Sequence, residues 1–246
     1  MSHRHAFTLI ELLVVISIIA LLIAILLPAL GKARVSSQDM QCLSNARGIA
    51  VAMQIYTDEQ KEIFPAHRSA SLGADAWGWN DKLLEFGYIT DENVFRCPRV
   101  PYWESNRNPG TIIEVAVTGR LSLDFIPYGY NSFWLGYDPY NGSGHPTGRN
   151  YTKRSDVKNP SNLMMVSDSQ ISLQDTWATS MWYPNRRAGI LEGVSDVHDG
   201  KSNLSFADGH SEPMDADEVN GITNDAAEIQ EAKKYWIPNM EWDPGY

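Results

Sequence analysis

Cysteine is nearly missing from the chain, and the two that occur, Cys42 and Cys97, lie in no Cys-x-x-Cys pair and have no histidine neighbours at metal-ligand spacing. That sets aside the local Cys/His motifs of zinc-binding modules. Basic residues are also short: 20 Lys and Arg stand against 30 Asp and Glu in 246 residues, a net charge of −10. Before Lys32 there is one cation, Arg4, and one anion, Glu11, so the imbalance belongs to the remainder of the chain. An acidic surface repels phosphate backbones, which disfavours nucleic acid as a partner. Catalytic motifs are equally scarce. Gly142-Ser143-Gly144-His145 lacks the full pattern and the preceding strand of a nucleophile elbow, and no Ser/His/Asp arrangement can be argued. Carboxylate pairs such as Asp196 and Asp199 are too ordinary in an acidic chain to mark a glycosidase. No internal repeat is evident. Aromatics are not lacking: eleven Tyr, eight Trp and seven Phe could line a glycan site, but filling a core is their default use.

What is present is a long apolar run. From Phe7 to Leu30 the only charged side chain is Glu11. As a helix rising about 1.5 Å per residue this stretch spans roughly 36 Å, enough to cross a hydrocarbon core. An acid inside such a span costs about 2.5–3.5 kcal/mol on insertion scales and calls for a partner or a reason. Two plainer readings compete. One is a signal anchor with a stray Glu. The other is a cleaved secretory signal, with His3, Arg4 and His5 as the positive region and Ala29-Leu30-Gly31 as the cut site. The run is too long for the second, whose apolar region is typically about 7–15 residues.

The segment around Ala6-Phe7-Thr8-Leu9-Ile10-Glu11 resembles the prepilin-type N-terminal region of bacterial type IV pilins and type II secretion pseudopilins. The resemblance implies cleavage between Ala6 and Phe7 by a membrane prepilin peptidase, followed by N-methylation of Phe7. Gly is the usual residue before the cut, and Ala6 stands in its place here. Cleavage creates an amine four residues from Glu11, with an unperturbed pKa of about 7.7–8.0. The two can pair within one helix, or Glu11 can reach the Phe7 amine of the next subunit, as in the family. Pro28 removes an interior helix hydrogen bond at a cost of about 3 kcal/mol, and similar pilin helices carry a Pro at the same distance from the cut.

Beyond the span, Leu43, Ala46, Ala50, Met53 and Tyr56 continue an i, i+3, i+4 stripe with Cys42 and Ile49 beside it. This predicts one helix from Phe7 to about Asp58, with Gly31 and Gly48 weakening it by about 1 kcal/mol each and a joint near Gly31. In an oxidising compartment the two cysteines read as a Cys42–Cys97 disulfide, worth about 4 kcal/mol by loop closure, with two buried thiols as the other reading. After Phe64-Pro65, short runs at 77–88, 95–98, 112–117, 128–131 and 163–167 carry strand and turn signals, with a short helix over Asp81–Phe86. Tyr137–Asn150 reads as a surface loop. Asn224 as N-cap, a stripe of Ile229, Ala232 and Trp236, and Pro238 as stop predict a terminal helix.

Nine residues separate His198 from Asp208-Gly209, and this is similar to the H-x9-DG element of a large family of prepilin-processing-associated proteins. Cys42-Leu43-Ser44-Asn45, Phe64-Pro65, Phe95-Arg96-Cys97-Pro98 and Asn159-Pro160-Ser161 agree with it. Asp199-Gly200 and Asp208-Gly209 are hairpin dipeptides flanking the Leu204/Phe206 alternation, which predicts a meander of three strands from about Ile190 to Met214. His198 with Asp199, Asp208 and His210 could gather as a metal or catalytic cluster, or the His could satisfy a backbone carbonyl. Asp215, Asp217, Glu218 and Asn220-Gly221 offer oxygen ligands, and several major pseudopilins bind calcium in a C-terminal loop, although the spacing misses the EF-hand register.

Together these imply an α+β, pilin-like chain: leader 1–6, transmembrane helix 7–30, amphipathic continuation 31–59 and a small antiparallel head over 60–246. The expected role is structural and not enzymatic, with no cofactor beyond the calcium option. Expected partners are copies of itself or other pilin subunits, the prepilin peptidase and an inner-membrane assembly platform, with the head in the periplasm or on a surface filament. The alternative is a membrane-tethered module binding glycan or metal, sorted by the same signal.

Overall fold

The computed structural model describes residues 9–65, 78–99, 112–115, 120–123, 126–136, 152–169, 193–220 and 231–236. Its architecture is α+β and pilin-like: a helix α1 (Leu9–Glu59) of 51 residues carries a small four-stranded antiparallel sheet. At about 1.5 Å per residue α1 is roughly 76 Å long. It runs without a break through Pro28, Gly31 and Gly48, so the weak points in its sequence produce no joint.

The helix stops by hydrogen-bond closure. The Glu62 N–H donates to Thr57 O at 2.9 Å while Lys61 and Glu62 adopt φ of 56° and 69°. This is the six-to-one closure of a Schellman motif, with Lys61 where glycine is usual. The chain then pairs Ile63 with Lys153 and enters the head.

Helix α2 (Trp79–Glu85) begins two residues before the expected start because Asp81 Oδ2 accepts the Gly78 N–H at 2.8 Å, capping the first turn. Gly87, at φ 75°, follows its end. Residues 92–95 form a 3-10 turn, not a strand, with the Asp91 side chain accepting Asn93 N–H. Strands β1 (Ile112–Val115) and β2 (Arg120–Leu123) form a separate antiparallel pair.

The main sheet has the order β3-β4-β5-β6, with β3 (Tyr128–Tyr130) followed by α3 (Ser132–Leu135), then β4 (Met164–Asp168), β5 (Lys201–Phe206) and β6 (Ser211–Asp215). Helix α4 (Ala216–Asn220) follows directly. The expected three-strand meander is only partly formed. The β5–β6 hairpin is there, but the segment before it contributes isolated bridges, Ser169 to Val194 and His198 to Lys201, while β4 supplies the other neighbour of β5. Pairing with a distant apolar strand wins over the local one.

One face of the sheet receives α1 through Cys42, Ala46, Ile49, Ala50 and Met53, packed with Trp79, Phe95, Tyr128 and Tyr130. Leu204 and Phe206 point the other way, into a second cluster with Val194, Val219 and Trp236. Coverage on both faces explains why β4 is buried throughout. Many of the aromatics are core residues: Trp79 lies 5.9 Å from Phe95 and 5.6 Å from Tyr130, centroid to centroid, while Phe86 is exposed. Of the expected terminal helix, Ala232 and Trp236 are buried as their stripe requires, and residues 233–235 form a 3-10 turn. Asn224, Ile229, Pro238 and the 137–150 loop lie outside the described residues.

Candidate functional site

Two features stand out: the half of α1 that leaves the head, and the place where the head grips it. Every residue from Leu9 to Arg34 is exposed, although this is the most apolar part of the chain, with a mean hydropathy of 3.2 over its best 18-residue window. A helix apolar on all sides has no soluble surface to present and belongs in a lipid or protein interior. Glu11 lies in the first turn of α1, while Ala6 and Phe7 lie outside the described residues.

The grip begins at Asp39, about two and a half turns beyond the end of the apolar run at Leu30. Cys42 is bonded to Cys97, tying α1 covalently to the segment after the 3-10 turn. Beside this bond the buried His198 ring is held from both sides, Nδ1 at 2.6 Å from Asp39 Oδ1 and Nε2 at 3.1 Å from Asp168 Oδ2. Nε2 is also 3.8 Å from Cys97 Sγ. Asp168 is 1% exposed and accepts the Asn203 N–H at 2.7 Å. Arg99 extends the chain of charges, its Nε 3.0 Å from Asp39 Oδ1 and its Nη2 3.0 Å from Asp199 Oδ1. Burial alone would lower the His198 pKa; the Asp168 and Asp39 carboxylates outweigh it and raise the pKa from its ordinary value. With a carboxylate oxygen within reach of each ring nitrogen, His198 joins helix, strand and turn.

Asp199 and Gly200 both take positive φ, 55° and 89°, the geometry of a tight hairpin turn, and this turn delivers His198 to its two acids. At the other end of β5 the Gly209 N–H donates to Phe206 O at 2.9 Å, and Gly209 takes φ 91°. A Cβ on Gly209 would lie 2.7 Å from Gln54 Oε1, and Gln54 Nε2 donates to Ala207 O at 3.1 Å. The spacing from His198 to Asp208-Gly209 thus spans two docking points on α1, Asp39 and Gln54, roughly 22 Å apart along the helix.

The expected cluster of His198 with Asp208 and His210 is not assembled. His198 sits at the start of β5, whereas Asp208 and His210 lie past its end, where Asp208 Oδ1 is 2.5 Å from His210 Nδ1 and accepts the His210 N–H. His210 also stacks on Phe206 at 4.3 Å. Some of the oxygens considered for calcium also hold local structure. Asp215 Oδ1 accepts the N–H groups of Asp217 and Glu218, Glu218 accepts from Tyr235 OH at 2.6 Å, and the Asn220 amide pairs twice with the Val194 backbone. Gly221 lies outside the described residues. Sequence reading missed Asp39, Arg99 and Asp168. Only Asp168 left a trace, as an acid closing an apolar strand.

The prokaryotic N-terminal methylation motif family matches residues 1–27. No curated protein and no solved structure matches the chain. The matched stretch contains Ala6, Phe7 and Glu11 and most of the exposed apolar half of α1, so the chain carries a prepilin-type signal at the head of a helix long and apolar enough to cross a membrane, which fits membrane anchoring.

Proposed function

We propose that this chain is a structural subunit of a type IV pilus or a type II secretion pseudopilus. The prepilin peptidase cleaves it between Ala6 and Phe7 and Phe7 is methylated. The first half of α1 anchors it in the inner membrane with the head in the periplasm, and later packs in the filament core, supported there by an assembly platform. The observation that carries this reading is the division of α1: a methylation motif and an all-round apolar half outside the head, continuous with a half clamped into it.

Coexpression with a prepilin peptidase tests the processing step. The expected product by intact mass begins with N-methylated Phe7, and a chain cut near Gly31 instead defeats the reading. Glu11→Ala tests assembly. The substitution removes a charge that the bilayer disfavours, so membrane insertion should be as good or better and the melting temperature of the head unchanged. Incorporation into filaments should fall, because the Phe7 amine of the incoming subunit then enters an apolar core without its carboxylate. Filaments formed as well by cleaved Glu11→Ala subunits as by the parent rule out that role. A tethered binding module would stay a dispersed monomer with a saturable ligand, so polymerisation separates the two readings.

A further inference from the structure

The meeting point of α1, the segment after the 3-10 turn and the entry to β5 gathers ligand atoms that thiophilic metals favour. Cys42 Sγ, Cys97 Sγ and a ring nitrogen of His198 lie within 4.8 Å of one another, and all three residues are buried. In the oxidised chain the sulfurs are bonded to each other. We propose that, when this disulfide is open, Cys42, Cys97 and His198 form the three protein ligands of a tetrahedral site for a thiophilic divalent cation, zinc by its chemistry, with solvent in the fourth position.

The distances fit. Zinc bonds of about 2.3 Å to sulfur and about 2.0 Å to nitrogen place two such ligands about 3.6 Å apart around a tetrahedral ion. Cys97 Sγ and His198 Nε2 are 3.8 Å apart, and Asp168 Oδ2, 3.1 Å from the same nitrogen, puts a negative charge beside the ion. Asp39 Oδ1 on Nδ1 is the outer carboxylate that orients a metal-bound imidazole and leaves Nε2 as the ligand atom. Asp168 Oδ1 is buried with no hydrogen-bond partner, a cost that a cation at this position offsets. The separation that must change is between the sulfurs, from about 2.05 Å in a disulfide to roughly 3.8 Å around zinc. Cys42 is fixed in the helix, so rotation of Cys97, which follows the 3-10 turn on irregular backbone, takes up the change.

The chemistry balances with a dithiol as reductant. It supplies two electrons and two protons, the S–S bond breaks to two thiols, and the dithiol closes to its own disulfide. Metal binding then releases both thiol protons and the proton on Nε2 to solvent. One place in the fold thus accepts either of two staples, a covalent bond or an ion. The ligands come from three distant segments, so no local Cys/His motif announces them.

The test uses the full chain in detergent, reduced by a phosphine in mild denaturant, returned to buffer and titrated with Co²⁺ as the probe. The expected result is one Co²⁺ per chain, a thiolate-to-cobalt charge-transfer band with tetrahedral d–d absorption, displacement by zinc, and no such signal from the oxidised chain. Cys97→Ser and His198→Ala should weaken binding. Because His198→Ala also removes buried contacts, Asp39→Asn is the second variant: it leaves the three protein ligands in place and should lower cobalt affinity about tenfold or more. Circular dichroism of each oxidised variant monitors the fold. A reduced chain with no charge-transfer band, or cobalt affinity unchanged in both His198→Ala and Asp39→Asn, overturns the proposal.

Discussion

The two halves of α1 share one unbroken backbone and obey different rules. From Leu9 to Leu30 the side chains, Glu11 and Ser17 apart, are apolar on every side, and all are exposed. From Cys42 to Thr57 they are mixed, and only one face is buried. The difference teaches that a helix shows an apolar stripe when its surroundings are two-sided and none when they are uniform. The second half sits between a sheet and water, so Cys42, Ala46, Ile49, Ala50 and Met53 line one side. The first half awaits a single apolar medium.

If that contrast is right, the same kind of damage has different effects in the two halves. The largest effect is expected from Cys42→Ser with Cys97→Ser, which removes the link between α1 and the head and should lower unfolding free energy by about 4 kcal/mol. Urea denaturation of the full chain in detergent measures it, and the membrane-bound fraction should not move. Next comes a matched pair. Ile49→Ala opens a cavity in the core and should cost about 2–5 kcal/mol, whereas Ile19→Ala, in the exposed half, should leave the denaturation midpoint of the head where it was. Equal losses from both would mean that the halves are not independent. The smallest effect is Gly209→Ala, at about 1–2 kcal/mol, from a left-handed φ and the approach of Gln54. Gly31→Ala is its control: an added Cβ meets nothing within 4 Å, and the head should keep its midpoint.

The helix was legible from end to end because its signals are local: an apolar run, then a 3.6-residue stripe through Ile49 and Met53. So was the Asp199-Gly200 turn, whose residue types match the positive φ that both adopt. The disulfide followed from having two cysteines in a chain expected to be exported. The pairing partner of β5 was not legible. Alternation at Leu204 and Phe206 announces a strand and one apolar face, but nothing in it selects β4 over the residues just before His198. The charge cluster was hidden for the same reason. Asp39 looks like any polar residue on a helix, and Arg99 like any cation after a turn. Only the fold brings them to a histidine more than ninety positions later.

The position of the disulfide has a mechanical consequence. Cys42 is close to where α1 enters the head, and its bridge joins residues 55 apart in sequence. A pull between the apolar half of α1 and the C-terminal part of the head travels through the sulfur–sulfur bond and bypasses the chain between the cysteines. That bypassed stretch, about 190 Å if drawn out at roughly 3.4 Å per residue, stays out of the load path. Under tension the oxidised chain can lengthen from α1 before Cys42 and from the head beyond Cys97, and reduction adds the withheld length to its extension.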